Sequence, residues 1–200
     1  MQRKFFVILP IIFSIIVTNV SLSDVPIIVI APSKKSQSIS TVGTSVTILD
    51  EKFFKNSNEY FLGDALSSNT TSANFFQSGG HGTSSAIQLR GLPKRYSTVY
   101  IDGIKMSDPS TISNDYYFDD ILKNQISRVE ILRGNQSSIY GSGAMGGTIN
   151  ITTKRGKPGF QKNLSYNTAS HKTHNLAFSI SGADENDDFY IGLERFETGG

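Results

Sequence analysis

Apolar and polar positions along the chain alternate with a period of two in a series of short runs, which predicts strands. From Ala86 to Arg90, Ile87 and Leu89 alternate with Gln88 and Arg90. From Ile126 to Leu132, Val129 and Ile131 share one face, and Arg128, Glu130 and Leu132 the other. Thr148 to Thr152 resumes the pattern, and Ser45 to Leu49 is a further short strand. Thr98 to Ile101 and Ile104 to Met106 flank Asp102-Gly103, and an Asp-Gly pair between apolar runs is a strong hairpin signal. Two segments break the period. Asp50 is placed to cap a short helix over Glu51 to Phe54, and Asn58 to Leu66 carries Leu62 and Leu66 at helical spacing, both expected in the core. Ser67 to Ser72 is read as polar loop, and Ser78-Gly79-Gly80-His81-Gly82 as a break before the next strand. Beyond Arg155 the runs lengthen. Leu164 to Ser170, Asn175 to Ser181 and Phe189 to Leu193 alternate, with Leu176, Phe178 and Ile180 opposite Ala177, Ser179 and Ser181. Phe189, Ile191 and Leu193 stand opposite Tyr190, Gly192 and Glu194. Such segments fit transmembrane β-strands or a half-exposed soluble sheet, and spacing alone does not choose.

Between two of these strands lies the densest motif of the chain, Ile126 to Ile151. Gly141, Gly143, Gly146 and Gly147 make a regular helix costly there, so the stretch reads as strand, compact glycine corner, strand. Gly141, Gly143 and Gly146 also satisfy G-x-G-x-x-G. A dinucleotide site requires a helix opening on those glycines and an acid about 20 residues later. A β-branched strand follows instead, and no acid appears before Asp184.

At the start of the chain, Arg3 and Lys4 precede the apolar run Phe5 to Val17, and Ser21-Leu22-Ser23 supplies small residues for cleavage, the layout of a signal peptide over residues 1–23. Pro10 and the shortness of the run argue against a membrane anchor, which needs roughly 20 apolar residues. Removing Arg3 and Lys4 from 19 basic residues leaves as many bases as the 17 acids, so the basic balance of the whole chain carries no indication of nucleic acid. The chain has no cysteine, which excludes disulfides, thiolate metal sites and cysteine nucleophiles.

The motif after Ile126 resembles the plug domain of the TonB-dependent outer-membrane receptors. The matching residues are Val129, Glu130, Arg133 and Gly134, then Tyr140, Gly141, Ala144, Gly146 and Gly147, then Asn150 and Ile151, with Asn135 where the family has proline. Leu89-Arg90-Gly91 and Ile101-Asp102-Gly103 are two more family patterns, in the family's order. Near the new N-terminus, Pro26 and Pro32 bracket a β-branched run suited to adding a strand to a partner's sheet edge. Pro26, Ile27, Ile28, Val29, Ile30 and Ala31 resemble the TonB box, which the family offers to a periplasmic energy-transducing protein; Ile30 stands where threonine is common. The box lies so close to the predicted cut that no further signalling domain is expected ahead of it.

The resemblance implies an α+β plug domain, a small mixed sheet with short helices, followed by the first antiparallel strands of a transmembrane β-barrel. The implied divisions are residues 24–34 for the TonB box and linker, 35–155 for the plug and 156–200 for an incomplete barrel. A family barrel has about 22 strands, so the 45 residues after Arg155 point to a fragment or truncated product. Arg90 and Arg133, each ending a strand beside a glycine, are implied to lock the plug to glutamates of the barrel wall, with Glu130 in the same polar network. Gly134, Gly141, Gly143, Gly146 and Gly147 are implied to be structural. Ligand contacts are implied in Leu92 to Tyr96 and Ser107 to Tyr117, with Lys94, Arg95, Tyr96, Ser107, Asp108, Tyr116 and Tyr117 as candidates, and Gln77 to Gly82 as a third loop. The implied cargo is cobalamin, with a ferric siderophore as alternative, imported across the cell outer membrane; a soluble periplasmic binding module and a nucleotide-binding enzyme are the readings from other classes. No catalytic group, metal site or cofactor is expected. His81, His171 and His174 form no metal pattern, and Gly141-Ser142-Gly143 lacks the spacing of a nucleophile elbow. Asp184 to Asp188 lacks the glycine and glutamate of a calcium loop and is read as a solvated hairpin turn.

Overall fold

The computed structural model describes residues 28–29, 33–111, 116–118 and 121–200. In chain order its strands are β1 (Ile28–Val29), β2 (Gln37–Ser38), β3 (Ser45–Asp50), β4 (Ala73–Gln77), β5 (Ser85–Leu89), β6 (Ser97–Ile101) and β7 (Ile104–Met106). They continue as β8 (Ile126–Arg133), β9 (Gly147–Thr153), β10 (Gly159–Ala169), β11 (Thr173–Ala183) and β12 (Asp188–Glu197). The α-helices are α1 (Glu51–Asn56), α2 (Leu62–Asn69) and α3 (Ser137–Tyr140).

Strands β3, β8, β9, β6 and β7 form a mixed sheet in that order, antiparallel except for the parallel pair β6–β9. The register stacks the apolar positions of each strand into ladders. One runs Leu49, Val129, Ile151, Ile101; the next sets Ile131 against Ile149, Val99 and Met106. Each fully buried aliphatic side chain contributes about 1.5–3 kcal/mol. Phe54 of α1, Leu62 and Leu66 of α2, Ile87 and Leu89 of the β4–β5 hairpin, and Phe118 complete this core. Leu62 and Leu66 are fully buried, as their spacing predicts.

Asp50 caps α1 as expected, its Oδ1 accepting from the Phe53 N–H at 2.8 Å. The second helix is displaced from its expected place: Asn58 to Tyr60 are not helical, and α2 continues through Ser67 and Ser68, expected in a loop. Its start is fixed by tertiary pairing, since Phe61 bridges Leu122 and the Leu62 N–H donates to the Ile121 carbonyl. Strand β4, which sequence patterning misses, owes its extension to pairing along its length with β5. Asp102 and Gly103 both have positive φ, 49° and 83°, as the expected two-residue turn requires.

The glycine corner contains more helix than glycine density suggests: α3 precedes Gly141, and Ser142–Ala144 form one 3-10 turn. No helix follows Gly146; β9 begins at once with Gly147. At Gly147, φ is 151° and a Cβ would lie 2.2 Å from the Leu132 carbonyl oxygen, so only glycine fits.

Strands β10, β11 and β12 form a separate antiparallel meander with turns at Ser170–Lys172 and Asp184–Asp187. The second turn is the hairpin turn expected, with Asp184 Oδ1 accepting from the N–H groups of Asn186 and Asp187.

Candidate functional site

The amphipathicity of the meander is inverted. Its apolar face is the exposed one: Leu164, Leu193 and Ile191 are 71%, 68% and 53% accessible, with Phe160, Leu176, Phe178 and Phe189 beside them. On its polar face Thr173, Asn175 and Ser181 of β11 are buried and Tyr190 and Glu194 of β12 are half-buried, while Gln161, Asn163 and Asn167 of β10 are exposed. A soluble sheet places its faces the other way round, whereas a barrel strand presents apolar residues to lipid and polar ones to the lumen. No helix among the described residues is long and apolar enough to cross a membrane. Among the described residues no cluster of His, Asp and Glu could hold a metal ion.

The central sheet has a second face opposite the core, built from the polar members of the alternating strands. Glu130 is only 2% exposed and pairs with Arg128 at 2.9 Å. Thr98 and Thr148 share a hydrogen bond of 3.1 Å. The glycine corner folds over this face: Tyr140 packs edge-on against Tyr100 with ring centroids 5.0 Å apart, and Gly143 sits over Thr98. Burial pushes the Tyr140 phenol up to about 12, aided by Tyr100 and Glu130.

The sequence-derived locking residues divide. Arg90 and Arg133 are brought together: the Arg90 guanidinium lies over Gly134, 3.3 Å from where a Cβ would sit. Arg133 donates through Nη1 to the Thr71 carbonyl at 2.9 Å and through Nη2 to Thr47 Oγ1, while its buried Nε has no partner. Glu130 sits on the other face of β8, with Arg128.

Two of the three candidate ligand loops meet. Lys94 donates to the Tyr117 hydroxyl at 2.9 Å and lies 4.0 Å above that ring, joining the segment after β5 to the segment after β7. Arg95 stacks on Tyr96, and Tyr116 packs against Phe118. Asp108 is held as a turn cap by Ser110, whose hydroxyl and N–H donate to it and keep its carboxyl below the ordinary range. Ser107 is exposed beside it. The third loop, Gln77 to Gly82, lies at the far end of the β4–β5 hairpin from Leu92 to Tyr96. There His81 stacks on Phe61 at 4.3 Å and meets Phe196 of β12 edge-on, so this histidine is a packing residue.

In the TonB-box segment, Ile28 and Val29 pair with Ser38 and Gln37. Pro26, Ile27, Ile30 and Ala31 lie outside the described residues, as does the signal-peptide segment.

Sequence reasoning missed the seam between the two sheets. Glu194 Oε1 accepts from Asn124 at 2.5 Å and from Asn175 at 2.9 Å. Lys123, 9% exposed, donates to the Ser57 carbonyl; burial depresses its ammonium, opposed by Glu59 and Glu194. The one available signal was Glu194 itself, an acid on the polar side of an alternating strand.

A family profile for the TonB-dependent Receptor Plug Domain matches residues 38–148, more than half of the chain. The chain belongs to this family. Its architecture is shared with solved structures, at identities that speak for the fold alone. The ferric yersiniabactin uptake receptor FyuA from Yersinia pestis matches with a TM-score of 0.59 and 22% identity, over 78% of this chain and 24% of that one. The siderophore receptor PiuA from Acinetobacter baumannii gives 0.64 and 20%, over 81% and 22%. FpvAI in its complex with pyocin S2 gives 0.71 and 15%, over 86% and 22%. The chain thus spans about a quarter of the length of these receptors. The plug fold with following antiparallel strands is as expected, and it removes the nucleotide-binding alternative, because β9 occupies the place its helix requires. The expectation of the cobalamin branch gains no support, since the neighbours above described by cargo are siderophore receptors.

Proposed function

We propose that this chain is the plug and first wall strands of an outer-membrane receptor that imports a ferric siderophore. The observation that carries the membrane assignment is the exposed apolar face of β10–β12 opposite a polar face turned to the plug. Secretion by residues 1–23 and energy input through residues 26–31 belong to the same reading. In it, a TonB-type periplasmic protein adds a strand along Ile28–Val29 and pulls on the plug. Arg90 and Arg133 serve as plug-to-wall locks, an assignment supported by their adjacency and by the partnerless Arg133 Nε. Lys94, Arg95, Tyr96, Ser107, Asp108, Tyr116 and Tyr117 supply cations and amphipathic rings for a bulky ligand, supported by the Lys94–Tyr117 contact that unites their loops. The cargo preference follows the siderophore receptors that share the fold, in place of cobalamin.

The test is uptake by cells expressing the full reading frame as their one such receptor. Iron-55 chelates are expected to accumulate and labelled cobalamin is not. Cobalamin accumulation without iron would reverse the cargo assignment, and accumulation of neither would remove the uptake reading.

A further inference from the structure

A polar cleft runs between the plug and the inner face of β10–β12. It opens to about 470 Å³ beside Tyr60, Lys123 and Asn175 and continues into a second space of about 290 Å³ beside Glu51, Arg155 and Lys157. The two share Lys55, Lys154, Asn163, Ser179 and Tyr190, so they form one passage. From Asn167 to Gln161 along β10, at about 3.3 Å per residue, it is roughly 20 Å long.

The two walls differ in chemistry. The strand wall is mostly hydrogen-bonding, with Asn163, Ser165, Asn167 and Asn175; its charged members are Lys162 and Glu194, the latter accepting from Asn124 and Asn175. The plug wall carries Lys55, Lys123, Lys154, Arg155 and Lys157 against Glu51, which Lys55 and Lys157 both engage, while Glu59 faces Lys123. The cations outnumber Glu51, Glu59 and Glu194, so the cleft is net positive, with Lys123 opposed by Glu59 and Glu194 and Lys154 by Glu51 and Glu194. Asn175 Oδ1 and Glu194 Oε2 on the strand wall are buried without a hydrogen-bond partner. A cleft with an excess of one sign of charge between low-dielectric walls focuses its field and concentrates counter-ions.

We infer that this cleft is an inner binding site for an anionic chelate, a station of its path past the plug, with Lys123 and Lys154 as the groups that select for negative charge. The inference rests on the uptake reading above and deepens it. Burial holds the Lys154 ammonium below its usual range, and an incoming anion would offset that cost.

The experiment compares wild type, Lys123→Gln/Lys154→Gln and Lys123→Arg/Lys154→Arg, each in the full reading frame. The probe is a ferric tris-catecholate, which is trianionic; surface binding and initial uptake rate are measured separately, with ferric tris-hydroxamate as the neutral comparison. The glutamine pair is expected to keep surface binding and lose about tenfold in uptake of the trianion, and the arginine pair to stay within about twofold of wild type. Equal losses in both pairs would assign the lysines to packing and overturn the inference, as would unchanged uptake in both. Import of the neutral chelate alone would overturn it too. Failure of wild type to bind either chelate would instead remove the uptake reading on which it rests.

Discussion

Four glycines separate the two reasons a position can refuse a side chain, and alanine at each gives a graded prediction. Gly43 has no neighbour within 4 Å of the point a Cβ would occupy and no positive φ. Gly141 has φ 89° but open space. Gly146 has ordinary φ but would place a Cβ 3.1 Å from the Tyr96 carbonyl oxygen and 3.3 Å from that of Leu89. Gly147 has both problems, with φ 151° and the Leu132 carbonyl at 2.2 Å. Left-handed backbone costs an L-residue about 1–2 kcal/mol and overpacking about 1–3 kcal/mol. Gly147→Ala should therefore lose about 2–5 kcal/mol, Gly146→Ala about 1–3 kcal/mol, Gly141→Ala about 1–2 kcal/mol, and Gly43→Ala nothing, or gain a few tenths from the unfolded chain. The assay is amide hydrogen exchange of β8 and β9 in the purified receptor. A loss of 2 kcal/mol accelerates exchange through opening about 30-fold. Exchange in Gly147→Ala within twofold of wild type, or equal effects at Gly43 and Gly147, would refute the reading of the corner as a close-packed device.

Leu193→Arg places a charge on the exposed apolar face of β12 and should cost about 2–4 kcal/mol if that face meets lipid, read as lost outer-membrane assembly; on a soluble surface it would be neutral. Because Tyr140 titrates near 12 in the folded protein and at 10.0 when unperturbed, its contribution is complete below pH 10 and is lost as pH rises through 12. Alkaline unfolding should therefore show about 2–3 kcal/mol of pH-dependent loss across that window that Tyr140→Phe abolishes. Asp50→Ala removes the cap of α1 and should cost about 1 kcal/mol, measured by exchange of the Phe53 amide. Ile28→Pro removes a backbone N–H from the TonB-box strand and should abolish uptake while leaving ligand binding intact; transport at the wild-type rate would dismiss the strand-addition mechanism.

Local chemistry was legible in the amino-acid order alone wherever one residue type admits few conformations. The Asp102-Gly103 turn, the Asp50 cap, the period-two strands and the absence of a helix after Gly146 all follow from backbone sterics and side-chain alternation. Contacts between distant segments were not legible, because no local preference encodes them. The start of α2 is set by Ile121 and Leu122, β4 exists through β5, and Glu194 reaches Asn124 across 70 residues of sequence. The choice between a soluble sheet and a membrane wall was also left open by β10–β12, since alternation says that two faces differ without saying which one points outward. Only the placement of the plug against the Asn175 side bears on that choice, because burying the polar positions of β11 leaves the apolar face outward, which supports the proposed membrane wall.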